Sequence, residues 1–140
     1  MLTELKKDFE LIVFTSGQRD YAHKVLDLVE KDHKFFDHRL VKDNCLHCEK
    51  LDLHIKDLKI LLEGRELKDI VIVDNCTVNY MLQLTNGIPI KDYEGDKRDF
   101  YLYSLCKYLK TFKDVPDVRN KITEDFKINE IVSACMACSQ

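Results

Sequence analysis

Three short stretches of the chain hold side chains with the right chemistry to grip a phosphoryl group and a hard cation. The first is Val13-Phe14-Thr15-Ser16-Gly17. Here an apolar run ends in hydroxyls and a glycine, and a hydroxyl beside well-aimed backbone N–H groups can hold a phosphate oxygen. The second is His54-Ile55-Lys56-Asp57-Leu58, where the Lys56 ammonium can neutralise phosphoryl charge as a point cation. The third is Val71-Ile72-Val73-Asp74-Asn75, which closes an apolar run with a carboxylate and an amide. Both supply hard oxygens of the kind Mg²⁺ takes. Each stretch also has an ordinary reading. Thr15 and Ser16 can cap a helix, Lys56 can be a solvated surface residue, and Asp74-Asn75 can be a turn.

The elements that must position these groups are legible from periodicity. Residues 9–14 form an apolar, partly β-branched run with a turn after it, which predicts a strand buried on both faces. From Asp20 a helix is expected, with Tyr21, Val25, Leu28 and Val29 at i, i+4, i+7 and i+8. Residues 35–41 read as a weaker strand, and Leu51, Leu53 and Ile55 alternate like one arm of a hairpin. Residues 70–73 are the clearest strand, and Ile88-Pro89-Ile90 is a further short apolar segment. An amphipathic helix is expected over 100–112 through Leu102, Leu105, Cys106, Leu109 and Phe112. A short helix over 2–8 opens the chain, and Pro116 is placed to open a last one. Strands alternating with helices imply an α/β domain with a parallel sheet, in which ligands gather beyond the carboxyl ends of the strands. Thr15 and Asp74 both follow such ends. We divide the chain into a domain over 1–113 and a C-terminal helix and tail over 114–140.

Composition narrows the function classes. Hydrophobic residues make up 45% and charged residues 34%, a balance that is neither disordered nor membrane-like. A formal net charge of −3 does not mark a nucleic-acid binder. No apolar run approaches the roughly 20 residues that span a bilayer, and the first residues do not read as a signal peptide. The expected setting is nuclear or cytoplasmic. There the six cysteines are expected as reduced thiols.

Taken together, in this order and spacing, FTSG, HIKDL and VIVDN resemble the haloacid dehalogenase superfamily. The resemblance is to its branch of RNA polymerase II C-terminal-domain phosphatases and NLI-interacting-factor-like proteins. The similarity runs over about residues 2–112 and takes in Tyr21-Ala22, Phe35-Phe36, Arg39-Leu40, Cys45 and Asn86-Gly87-Ile88-Pro89-Ile90. It implies a Rossmann-like haloacid dehalogenase fold with a parallel sheet and an inserted β-hairpin. It also implies a Mg²⁺-dependent phosphatase acting on phosphoserine or phosphothreonine in a phosphoprotein. Thr15 would match the phosphate-binding threonine and Lys56 the lysine that orients the phosphate. Asn75 would match a direct Mg²⁺ ligand, with Asp74 in the metal's near shell. The hairpin insert over 39–55 would help bind an extended phosphopeptide.

One part of the family pattern is missing. The nucleophile of these enzymes lies in a D-x-D-x-[TV] motif at the end of the first, central strand, and no two aspartates here fall two apart. Without it Mg²⁺ loses its main carboxylate ligand and no phosphoaspartate can form. The first strand is therefore expected to be absent, with the apolar edges of its neighbours around Ile12 and Ile72 left unpaired. Three explanations stand: a chain cut short, a degenerate paralogue whose partner supplies or covers the strand, or neighbours closed into a reduced sheet. The alternative function is a non-catalytic module that binds a phosphopeptide or protein, as the mitochondrial import receptor with this domain does. Two C-x-x-C pairs, Cys45/Cys48 and Cys135/Cys138, have zinc-ligand spacing but lie far apart in sequence. His54, two residues before Lys56, is either a substrate neighbour or a half-exposed strand residue.

Overall fold

A computed structural model describes residues 1–137, so Cys138 of the second C-x-x-C pair lies outside the described residues. The chain divides into two compact units. One comprises Met1–Asp57 and Tyr93–Lys113, the other Leu58–Asp92 and Asp114–Gln140. Both mix helices with short strands, which makes the chain an α/β protein.

The first unit opens with α1 (Leu2–Leu5) and β1 (Ile12–Phe14), followed by α2 (Arg19–Val29) and β2 (His38–Leu40). β1 and β2 pair in parallel, with Ile12 opposite His38 and Phe14 opposite Leu40. Thr15 N–H continues the ladder to the Leu40 carbonyl at 2.9 Å. The strand expected at 9–14 is thus present, but all three of its residues are half-buried rather than buried on both faces. The hairpin follows as β3 (Leu46–Cys48) and β4 (Leu53–Ile55), which are antiparallel. The late helix is α3 (Tyr101–Lys110).

α2 forms where expected but rotated. Tyr21, Val25, Leu28 and Val29 are exposed, whereas Ala22 and Leu26 are buried. Charge decides the rotation. Arg39 on β2 donates to Asp27 at 2.7 Å and to Glu30, and lies 3.4 Å from His23 Nδ1. These three acceptors, at i, i+4 and i+7, form one stripe of the helix. Glu30 also accepts the backbone N–H groups of Phe35 and Phe36 at 2.6 and 2.7 Å. The Phe36 bond does most to hold its carboxyl down at about 2, followed by the Arg39 hydrogen bond and then the Phe35 bond. α3, by contrast, has no fully buried residue, and Leu102 is exposed.

The second unit contains β5 (Ile72–Asp74) and β6 (Gly87–Pro89), parallel, with Ile72 opposite Gly87. Between them a run of 3-10 turns spans Thr77–Asn86, broken at Tyr80 and Gln83. Leu58, Ile70, Ile72 and Tyr80 form its apolar core, with Leu61 and Leu67 packed against them. Gly87 is required there, since a Cβ at that position would sit 1.9 Å from Tyr80 Cε2. Two buried amides tie the surrounding loops. Asn86 donates to the carbonyls of Leu67 and Ile70 at 2.6 and 2.7 Å, and Gln83 accepts from Leu58 N–H at 3.1 Å. Helices α4 (Val118–Asp125) and α5 (Ile128–Ala137) complete the unit. Asp117, the residue after Pro116, caps α4 by accepting the Arg119 N–H at 2.9 Å.

One sequence expectation needs revision. The parallel sheet is present as two separate two-stranded ladders, β1–β2 and β5–β6, each within one unit. Among the described residues neither ladder has a third strand. Each pairs only three residues.

Candidate functional site

The first unit assembles Thr15, Cys45, Lys42 and Lys56. Thr15 leaves the end of β1, and its Oγ1 accepts the Gly17 N–H at 3.0 Å, a local turn bond. The hydroxyl retains its own proton for an acceptor oxygen. Gly17 suits this turn because a Cβ there would come within 3.2 Å of Thr15 Oγ1. Lys56 follows Ile55 at the end of β4 and is only 9% exposed. Such burial of an ammonium is uncommon for a lysine that does nothing but face solvent. Cys45 links the two. Its Sγ lies 4.0 Å from the Thr15 carbonyl oxygen, and the charges of Lys56 and Lys42 both act on it. Burial, the larger influence, pushes the Cys45 thiol up. That shift favours the neutral thiol over the thiolate.

The second unit holds Asp74 and Asn75. Asp74 is 5% exposed at the end of β5, and its Oδ1 accepts from Cys76 N–H and Asn79 Nδ2, each at 2.9 Å. Asn75 is exposed, and its Nδ2 donates to Asp92. The donor chemistry fits Mg²⁺, which takes hard oxygens, keeps several waters and is commonly held by one or two carboxylates. Asp74, Asn75 and the neighbouring Asp92 are the residues of this unit that would hold it. Asp74 also acts on the buried Tyr80, whose phenol is pushed up mainly by burial and then by that carboxylate.

His54 is half-buried on β4, directly opposite His47 on β3, and the two rings stack with centroids 4.5 Å apart. Burial, then Lys42 and His47, lower its pKa, so it is neutral at pH 7. The sequence reading passed over Lys42, Asn79 and Asp92. Asn79 had a signal, since an amide five residues after a strand-end aspartate can close back on it. Lys42 sits three residues before Cys45, in one local turn closed by the Cys45 N–H to the Lys42 carbonyl at 3.0 Å; Asp92 had no signal, because only the approach of distant segments brings it near Asn75.

Comparison with known proteins identifies the family. The profile of the family described as NLI interacting factor-like phosphatase matches residues 1–119. The chain is 37% identical over 125 residues to "CTD small phosphatase-like protein 2" of Dictyostelium discoideum, covering 89% of this chain and 21% of that protein. It is 32% identical over 130 residues to "CTD small phosphatase-like protein 3" of Caenorhabditis elegans, covering 92% of this chain and 44% of that one. It is 33% identical over 117 residues to the mitochondrial import inner membrane translocase subunit TIM50 of Candida glabrata, covering 82% and 23%. The chain thus spans less than half the length of these relatives. No helix among the described residues is long and apolar enough to cross a membrane. With 119 of its residues matched by one profile, the chain belongs to the NLI interacting factor-like phosphatase family.

Proposed function

We propose that this chain is a phosphoprotein-recognising domain of the C-terminal-domain phosphatase type, with the haloacid dehalogenase arrangement as its ancestry. In this reading Thr15 and Lys56 take the phosphoryl group of a phosphoserine or phosphothreonine, while Asp74 and Asn75 hold Mg²⁺. The hydroxyl and the ammonium position the group, which is most of what phosphoryl chemistry asks of a protein. The observation that carries the proposal is the buried Lys56, whose charge acts on the same Cys45 thiol that lies against the Thr15 carbonyl.

The 140 residues hold no Asp-x-Asp, so they lack the carboxylate nucleophile and are expected to bind without turnover. The purified chain with Mg²⁺ should leave para-nitrophenyl phosphate unhydrolysed. It should bind a phosphoserine heptad-repeat peptide more tightly than the unphosphorylated peptide, and Lys56→Ala should remove that preference. Equal affinity for the two peptides would defeat the phosphoryl reading, and Mg²⁺-dependent turnover lost in Lys56→Ala would defeat the binding-only one. A second reading, a protein-binding module without phosphate recognition, is favoured by the import-translocase relative. It predicts a partner retained unchanged by both Thr15→Ala and Lys56→Ala.

A further inference from the structure

We propose that the β3–β4 hairpin carries a site for a divalent cation of the zinc type, with His47, Asp52 and His54 as its protein ligands. The register places His47 directly opposite His54. On an antiparallel pair such residues project from the same face with their Cβ atoms close. Their imidazoles lie nearly parallel, at 20°, with centroids 4.5 Å apart. Asp52 completes the set from the turn. It takes a left-handed backbone conformation (φ 48°), which aspartate tolerates better than most residues. Its Oδ1 lies 3.2 Å from His47 Nε2.

One donor atom from each of the three residues lies within 4.8 Å of the other two. Four-coordinate zinc with bonds of about 2.0–2.1 Å sets its ligand atoms roughly 3.3 Å apart. The His47–Asp52 pair is already at that separation, and the remaining contraction is a side-chain adjustment of at most about 1.5 Å. Two imidazoles and a carboxylate favour zinc-like ions over Mg²⁺ or Ca²⁺, and three protein ligands leave a fourth position open.

The thiols of the same hairpin do not compete. Cys48 follows His47 in β3 and so points to the opposite face. Cys45 lies against the carbonyls of Thr15 and Val41, each 4.0 Å away. The lysine whose charge reaches His54, Lys42, opposes a cation, so the expected affinity is micromolar rather than that of a closed structural site. A bound ion would fasten the hairpin turn to both strands.

Titration of the full chain with Zn²⁺, followed by histidine ring resonances and calorimetry, tests this. One equivalent should bind and shift the rings of His47 and His54 while His23, His33 and His38 stay put. His54→Ala should weaken binding about tenfold or more. The exposed-turn variant Asp52→Asn, which keeps the backbone tolerance, should weaken it as well, and Cys48→Ser should leave it unchanged. Unshifted His47 and His54 rings at about ten equivalents of Zn²⁺ would overturn the proposal. Binding lost in Cys48→Ser but kept in His54→Ala and Asp52→Asn would overturn it too. The outcome is independent of phosphopeptide binding, so it can fail or hold without touching the reading of Thr15 and Lys56.

Discussion

The two units keep their shape by different means. In the second, four apolar side chains, Leu58, Ile70, Ile72 and Tyr80, are buried together. Each such burial contributes roughly 1.5–3 kcal/mol for a Leu- or Ile-sized group. Its buried polar groups are the Asp74 carboxylate and the amides of Gln83 and Asn86, which accept from or donate to backbone. In the first unit the helices leave much of their apolar surface exposed. Tyr21 and Leu28 on α2 and Tyr103 on α3 are about two-thirds exposed or more. Distant segments there are joined by charge. Lys6 meets Asp37 at 2.5 Å, Lys113 meets Asp8 at 2.6 Å, Lys110 meets Glu4 at 3.2 Å, and Arg39 spans Asp27 and Glu30. Apolar packing is shape-sensitive and nearly indifferent to salt and acid, whereas exposed ion pairs tolerate shape changes and yield to both. The difference teaches that the two halves of the candidate chemistry rest on foundations that fail under different conditions.

The largest blow to this comparison should come from Gly87→Val. Its Cβ would enter the Tyr80 ring, with an expected cost of about 3 kcal/mol. Urea unfolding should report the loss, and hydrogen exchange should place it at residues 70–90. Unchanged protection there would mean that the Tyr80 packing does not hold the second unit together. Next, Asn86→Leu keeps the branched shape but strands the carbonyls of Leu67 and Ile70, at an expected cost of about 2–3 kcal/mol. A neutral result in the same unfolding measurement would show that these carbonyls find other partners.

Acid should strike the first unit through Glu30. Its carboxyl pKa is lowered from 4.5 to about 2 on folding, so its contribution is complete above about pH 4.5 and is lost as pH falls through about 2. Amide protection at Phe35 and Phe36 should decline over that window. In Glu30→Gln it should already be reduced at pH 7 and flat with pH. Asp37, held low by Lys6, adds to the acid response of the same unit, so the variant should remove only part of it. The smallest effect is expected from Lys110→Met, which deletes the exposed pair with Glu4. No measurable shift in the urea midpoint is expected, because exposed pairs are weak. A clear loss, recovered by Glu4→Gln in the same chain, would show that the pair matters more than its exposure implies.

Much of this molecule is written in local pattern. The strand before Thr15, the strand before Asp74, the helix from residue 19, the hairpin arm at 53–55 and the helix near 101–110 all follow from periodicity and turn residues, since backbone geometry over a few residues responds to its own side chains. The identity of the groups at the strand ends and the missing Asp-x-Asp are likewise properties of the string. Tertiary structure decided the rest. It buried Ala22 and Leu26 rather than Tyr21, Val25, Leu28 and Val29, because Arg39, nine or more residues away, captures His23, Asp27 and Glu30 on one stripe. Ladder register put His47 against His54. It enclosed Lys56 and Asn86, two residues whose types alone predict exposure. Burial and pairing are relations between distant segments, and their energies depend on partners that no window of a dozen residues contains.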